Sequence, residues 1–202
     1  MPLTQPPPEI GYDEYVRVQM DRSLRMRGHD PRERCEYLIG VMSRFVAKEP
    51  PPRVLCVGCR NGYELDHFAA AGYPGAVGID LHSADPRIRV MDMHEMRFED
   101  GSFDVVYSCH SLEHAYDVRK AGGEIGRVLR PGGVAVVEVP IACERRKGDM
   151  WDLGDPETIA EVIGGRLEWS EVGMQLGANQ RVARAVVRVG ARIAGVGGGG
   201  SS

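Results

Sequence analysis

Gly58 and Gly62 follow the apolar run Val54–Val57 and precede a stretch with helical spacing, with Arg60 and Asn61 between them. Glycine takes positive φ at little cost and carries no Cβ, so such a junction at the end of a strand lets the backbone turn tightly and approach a ligand. Asp80, followed by Leu81, ends the next apolar run roughly twenty residues on, where a carboxylate can accept hydrogen bonds from both hydroxyls of a ribose. Asp92, followed by Met93, closes a third run and offers a second acidic acceptor on the same rim, suited to an adenine amino group. Beyond a fourth run, the segment CHSLEH carries His110 and His114 with Glu113 between them. Imidazoles titrate near neutral pH and suit a general base, and a spacing of four would place both on one helix face. Each feature also has a plainer reading: a strand-to-helix turn for the glycines, a strand-end cap for Asp80, a backbone-bonded ring for either histidine. Cys56 and Cys59 form a CxxC, but a metal site needs about four converging ligands and no second pair lies at the right spacing, so no metal is expected.

The elements that must hold these residues alternate. RVLCVG, AVGIDL, IRVMDM, FDVVYSCH and GVAVVEVP read as strands, with helices over YELDHFAAAG and VRKAGGEIGRVLR. Continuous apolar strands separated by helices predict a mostly parallel sheet covered on both faces, a doubly wound, Rossmann-like α/β fold. Asp155 caps a further helix with Pro156 in its first turn, and RLEWSEVGMQL and RVARAVVRVGARI predict an antiparallel closing hairpin. Residues 1–50 form an N-terminal helical lid segment, whose second helix is expected to end at the Glu49–Pro52 run. Residues 51–194 form the α/β domain, and the glycine- and serine-rich tail 195–202 is expected to be disordered.

With 202 residues, 43% of them hydrophobic, the chain can bury one good core. The net charge of −4 gives no broad positive field for nucleic acid, and no apolar run reaches the length of a membrane span. The start has no secretory pattern and the five cysteines are scattered, so reduced thiols and a cytoplasmic location are expected.

Taken together, VLCVGCRNG, GID, MDMHEMRFEDGSFDVVYSCHSLEH and EIGRVLRPGGVAVVEVP resemble, in order and spacing, the motifs of class I S-adenosylmethionine-dependent methyltransferases, and more narrowly the small type 11 domain. The resemblance covers Arg53 to Pro140. It implies that S-adenosylmethionine is the cofactor. Gly58, Cys59 and Gly62 would surround its methionine part, Asp80 its ribose, and Asp92 with Met93 its adenine, with Ser108, Cys109 and His110 beneath the sulfonium. It also implies a seven-stranded sheet. Two positions depart from the pattern: Cys56 stands where the family usually has an acid, and Arg60 where it has a third glycine. Arg60 either pairs with the cofactor carboxylate or points to solvent.

A small-molecule acceptor is expected, with His114 on its side and His110 on the cofactor side. Tyr12, Tyr15 and Arg17 are candidates for the roof of its pocket, as are Arg145, Arg146, Lys147 and Trp151, and a second copy of the chain could complete it as a homodimer. Two rival readings are an NAD-binding oxidoreductase, which the incomplete G-x-G-x-x-G spacing opposes, and a methyltransferase-like protein that only binds or regulates.

Overall fold

The computed structural model describes residues 10–26, 28–141 and 150–190. Arg145, Arg146, Lys147, Cys143 and the glycine-rich tail lie outside the described residues.

Seven strands form one sheet in the order β3-β2-β1-β4-β5-β7-β6. β1 (Val54–Val57), β2 (Val77–Asp80), β3 (Ile88–Val90), β4 (Phe103–Cys109) and β5 (Leu129–Pro140) run parallel. β6 (Arg166–Met174) and β7 (Arg181–Arg188) form the expected hairpin, with β7 antiparallel to β5. The strand order reverses between β1 and β4. There the connections leave to opposite sides and open a crevice at the carboxyl ends of the strands, the place where open α/β sheets bind ligands.

Alternate side chains feed two cores. Leu55, Val106, Val137 and Ala185 face α4 (Val118–Val128) and α5 (Pro156–Ile163), whose buried residues include Ile125 and Ile159. Val54, Cys56, Tyr107 and Val136 face the other way, against Leu38 and Met42 of α2 (Arg32–Met42) and Leu65 and Phe68 of α3 (Tyr63–Ala70). Burial on both faces is why the strands carry so few polar residues. The Asp155 carboxylate caps α5 by accepting the Thr158 N–H at 2.7 Å.

Two boundaries differ from the sequence reading. α2 stops at Met42 instead of reaching Glu49; Ser43 Oγ donates to the Gly40 carbonyl at 2.8 Å, a local bond that competes with another helical turn. His110 and His114 do not share an α-helix face. His110 has φ +52°, and Leu112–His114 is a single 3-10 turn. Among the described residues no helix is long and apolar enough to cross a membrane.

Candidate active site

Three strand ends and one helix build the site. After β1 the chain turns at Gly58, which has φ +77° and whose N–H donates to the Ile79 carbonyl at 2.9 Å. A Cβ at this position would run into the Cβ of Ser111. Ser111 cannot easily yield, because its Oγ donates to the Val57 carbonyl at 2.8 Å and lies 2.7 Å from Ser108 Oγ. Gly62 opens α3 at φ +78°, where a Cβ would strike the Asp85 carboxylate that pairs with Arg87.

At the end of β2 the Asp80 carboxylate accepts the Arg60 N–H on Oδ2 at 3.0 Å and the His82 N–H on Oδ1 at 3.2 Å. Each oxygen takes one backbone bond and keeps a lone pair for another donor. Burial pushes the carboxyl up from its ordinary value, against the pull of these N–H groups and of the Arg60 guanidinium. Arg60 has φ +43°, and its guanidinium reaches the Met26 carbonyl beyond the end of α1 (Tyr12–Arg25) at 3.4 Å.

The cavity over this rim has a volume of about 580 Å³, its open mouth included. Gly58, Arg60, Asp80, Leu81, Asp92, Met93, His110 and His114 all line it. Cys59, Gly62, Ser108 and Cys109 do not, and all four are buried. Cys59 and Cys109 are buried, and burial pushes both thiols well up. α1 roofs the cavity with Tyr15, Gln19, Arg22 and Ser23. Of these only Tyr15 was among the expected roof residues. Tyr15, Gln19 and Ser23 recur every fourth residue, so a polar stripe on one helix face was the available signal. Arg17 lies on the exposed side of α1, and Trp151 Nε1 donates to the Ala115 carbonyl at 2.8 Å, anchoring its segment.

Asp92 is more occupied than its place on the rim suggests. The His94 ring meets its Oδ1 through Nδ1 at 2.5 Å, Tyr12 O–H donates to its Oδ2, and the His94 N–H donates to Oδ1 at 2.8 Å. Burial opposes ionisation, but these bonds outweigh it and hold the Asp92 carboxyl at about 2. Tyr12, Tyr15, Tyr116 and His94 pack ring against ring over this end of the cavity, with centroids 5.2 to 6.1 Å apart.

Two histidines meet one carboxylate at the other end. His110 Nδ1 lies 3.8 Å and His114 Nε2 3.6 Å from Glu113 Oε1. His110 Nε2 is 3.0 Å from Glu138 Oε1 on β5, and Arg184 Nε on β7 donates to the other oxygen of Glu138 at 2.6 Å. Glu138 and Arg184 are both buried. Burial would raise the Glu138 carboxyl, but His110 and Arg184 outweigh it and hold it low. Sequence reasoning passed over both residues: Glu138 sits inside an apolar run, and Arg184 is one of three arginines on its strand. The site therefore combines a polar cleft with imidazoles and carboxylates at one end.

The comparisons with known proteins follow the same chemistry. Residues 55–137 match the family model described as a methyltransferase domain. A probable S-adenosylmethionine-dependent methyltransferase of Mycolicibacterium smegmatis is 34% identical over 97 residues, covering 43% of this chain and 37% of its own. The 27-O-demethylrifamycin SV methyltransferase of Amycolatopsis mediterranei is 34% identical over 97 residues, 40% of this chain and 36% of its own. The chain thus spans little more than a third of the length of these curated relatives. Among solved structures, the 1,6-didemethyltoxoflavin-N1-methyltransferase of Burkholderia thailandensis, with S-adenosylhomocysteine bound, superposes with a TM-score of 0.71 at 16% identity. That match covers 92% of this chain and 93% of the other. In the motifs of residues 55–137 and the strand order that holds them, the chain is similar to the class I S-adenosylmethionine-dependent methyltransferases.

Proposed function

We propose that the protein transfers a methyl group from S-adenosylmethionine to a small-molecule acceptor. The observation that carries this is Asp80: a half-buried carboxylate at the end of β2, fixed by two backbone N–H groups and facing a cavity over the Gly58 turn. That arrangement fits the two hydroxyls of a ribose. The Arg60 and Arg22 guanidiniums in the same wall suit a carboxylate, as the methionine part of the cofactor carries. Asp92 and Met93 lie where an adenine would pack, with the Tyr12 hydroxyl sharing the Asp92 acceptor.

S-adenosylmethionine, when bound, supplies a methyl carbon already activated by its sulfonium. The protein's task is to hold the acceptor in line with that carbon and to keep water out, and proximity and orientation are worth roughly 7 to 11 kcal/mol in favourable cases. α1 serves as the roof, and His110 and His114 flank the reacting end. The small-molecule reading has support from the relatives named above, whose names give a rifamycin and a toxoflavin precursor as substrates. Within the lid segment proposed at 1–50, α1 is the part that covers the cavity, while α2 packs into the core of the domain at 51–194.

Thermal unfolding in the presence of candidate cofactors tests this reading. S-adenosylhomocysteine at about a hundredfold excess over its dissociation constant should add about 2.7 kcal/mol and raise the midpoint by several degrees. NAD should leave it unchanged. A shift with NAD and none with S-adenosylhomocysteine would reverse the assignment in favour of an oxidoreductase. A shift with S-adenosylhomocysteine but no transfer of labelled methyl to a panel of phenols, hydroxy acids and amines would favour a binding protein.

A further inference from the structure

We infer that Glu138, held by Arg184, is a positioning residue that fixes His110 as the proton acceptor of this site. If so, the acceptor is a molecule whose nucleophilic atom must lose a proton: a hydroxyl, a phenol or a protonated amine. The inference rests on the methyl-transfer reading for its substrate and on geometry for everything else.

His110 is held by its backbone and by its ring. Its φ of +52° is a conformation that residues with a Cβ seldom adopt, and it turns the ring from the end of β4 towards both the cavity and β5. There Nε2 meets Glu138 Oε1 at 3.0 Å. An ionised carboxylate can only accept, so the Nε2 atom carries the hydrogen and neutral His110 is the Nε2–H tautomer. Nδ1, facing Glu113 Oε1 at 3.8 Å, is then the basic nitrogen. On accepting a proton the ring becomes a cation between two carboxylates, which favours the charged form.

Glu138 would be a costly residue at this depth without a partner. Arg184 supplies one through Nε at 2.6 Å and is itself fully engaged: one terminal nitrogen donates to Glu171 Oε1 at 2.7 Å and the other to the Met174 carbonyl at 2.9 Å. Its guanidinium lies 5.1 Å from the centre of the Tyr37 ring of α2, whose hydroxyl donates to Glu171. The chain of contacts runs from the closing hairpin and α2 to the cavity wall. A salt bridge so deeply buried seldom stabilises a fold more than apolar packing would, so its retention calls for another role, and orienting His110 is the one the geometry offers. Cys109 Sγ also lies near, 3.8 Å from Glu138 Oε1, but Arg184 already neutralises that carboxylate, which opposes a dication among these three groups.

In the reaction, the acceptor atom forms its bond to the methyl carbon as the carbon–sulfur pair returns to sulfur, and the acceptor's proton passes to His110 Nδ1. No further reagent is needed.

The test is the titration of His110 by nitrogen-15 NMR, which requires no acceptor. In the unaltered protein the neutral ring should show the Nε2–H tautomer. In Glu138→Gln its pKa should fall by at least one unit; in Arg184→Met, which frees Glu138 to act on the ring alone, it should rise. Movement in opposite directions shows that both charges act on the His110 ring, and the tautomer shows which of its nitrogens Glu138 holds. An Nδ1–H tautomer in the unaltered protein, or a pKa that Glu138→Gln leaves in place, overturns the inference. The first of these needs no variant to fold. Binding of S-adenosylhomocysteine is measured on the same samples, so a failure of the methyl-transfer reading is seen separately.

Discussion

Gly58→Ala should lose S-adenosylhomocysteine affinity by at least about a hundredfold and lower the unfolding free energy by about 2 to 5 kcal/mol, although it adds one methyl group. Two costs combine. The φ of +77° is strained for any residue with a Cβ, worth about 1 to 2 kcal/mol. The new Cβ also falls on Ser111, which is tied to Val57 and Ser108, and overpacking at such a site costs about 1 to 3 kcal/mol. Ser111 lines the cavity, so a shift of this residue alters the wall. A double-mutant cycle separates the contributions: Ser111→Gly in the Gly58→Ala background should recover the collision part and leave the backbone strain. Denaturant unfolding of the four proteins reads the cycle. A Gly58→Ala variant within about 0.5 kcal/mol of the unaltered protein would mean that the turn has room to spare, the ordinary scale of a neutral substitution.

The second large effect is a gain. Glu64, in the first turn of α3, is buried, and its Oε2 has no hydrogen-bond partner. Burial raises the carboxyl to about 7 from an ordinary 4.5, despite the Arg60 and Arg34 guanidiniums pulling it down. The folded protein therefore holds this proton over a range in which the unfolded chain has released it. Stability declines as pH rises from about 4.5 to 7, by about 1.4 kcal/mol per unit and about 3 kcal/mol in all, and is flat above. Glu64→Gln removes that slope. It should match the unaltered protein below pH 4.5 and exceed it by about 3 kcal/mol at pH 8, read from urea unfolding at the two pH values. A variant that loses stability at pH 8 would show that the charged carboxylate is satisfied after all.

The sheet was legible because both of its faces are buried. Five apolar runs separated by helical spacing leave few alternatives to a parallel arrangement, and the Asp155–Pro156 cap and closing hairpin announce themselves by turn chemistry. Gly58, Asp80 and Asp92 were legible for a related reason: each lies at or just beyond the carboxyl end of a strand, on one rim of the sheet. What pairs with what was not legible. Glu138 and Arg184 are 46 residues apart and meet only because β7 inserts antiparallel beside β5. In the sequence, Arg184 looks like the exposed alternate of an edge strand. The Tyr12 bond to Asp92 spans 80 residues and depends on α1 folding back over the sheet. The departure at Cys56 was visible, but its surroundings were not: burial pushes that thiol well up, and the nearby Glu64 carboxyl adds to the effect. The acid that the resemblance expects on the strand is thus absent there, while a carboxyl stands on the following helix. Local boundaries failed where single side chains decide them, as at Ser43 and at the left-handed His110.

Titration calorimetry with S-adenosylhomocysteine tests the central claim most directly, because Asp80 is asked to hold a ribose whatever the acceptor is. The unaltered protein should bind one equivalent saturably, and Asp80→Ala, which removes two charge-assisted hydrogen bonds worth about 1.5 to 3 kcal/mol each, should bind at least about a hundredfold more weakly. No heat of binding from the unaltered protein, or equal affinity in the Asp80→Ala variant, would contradict the account.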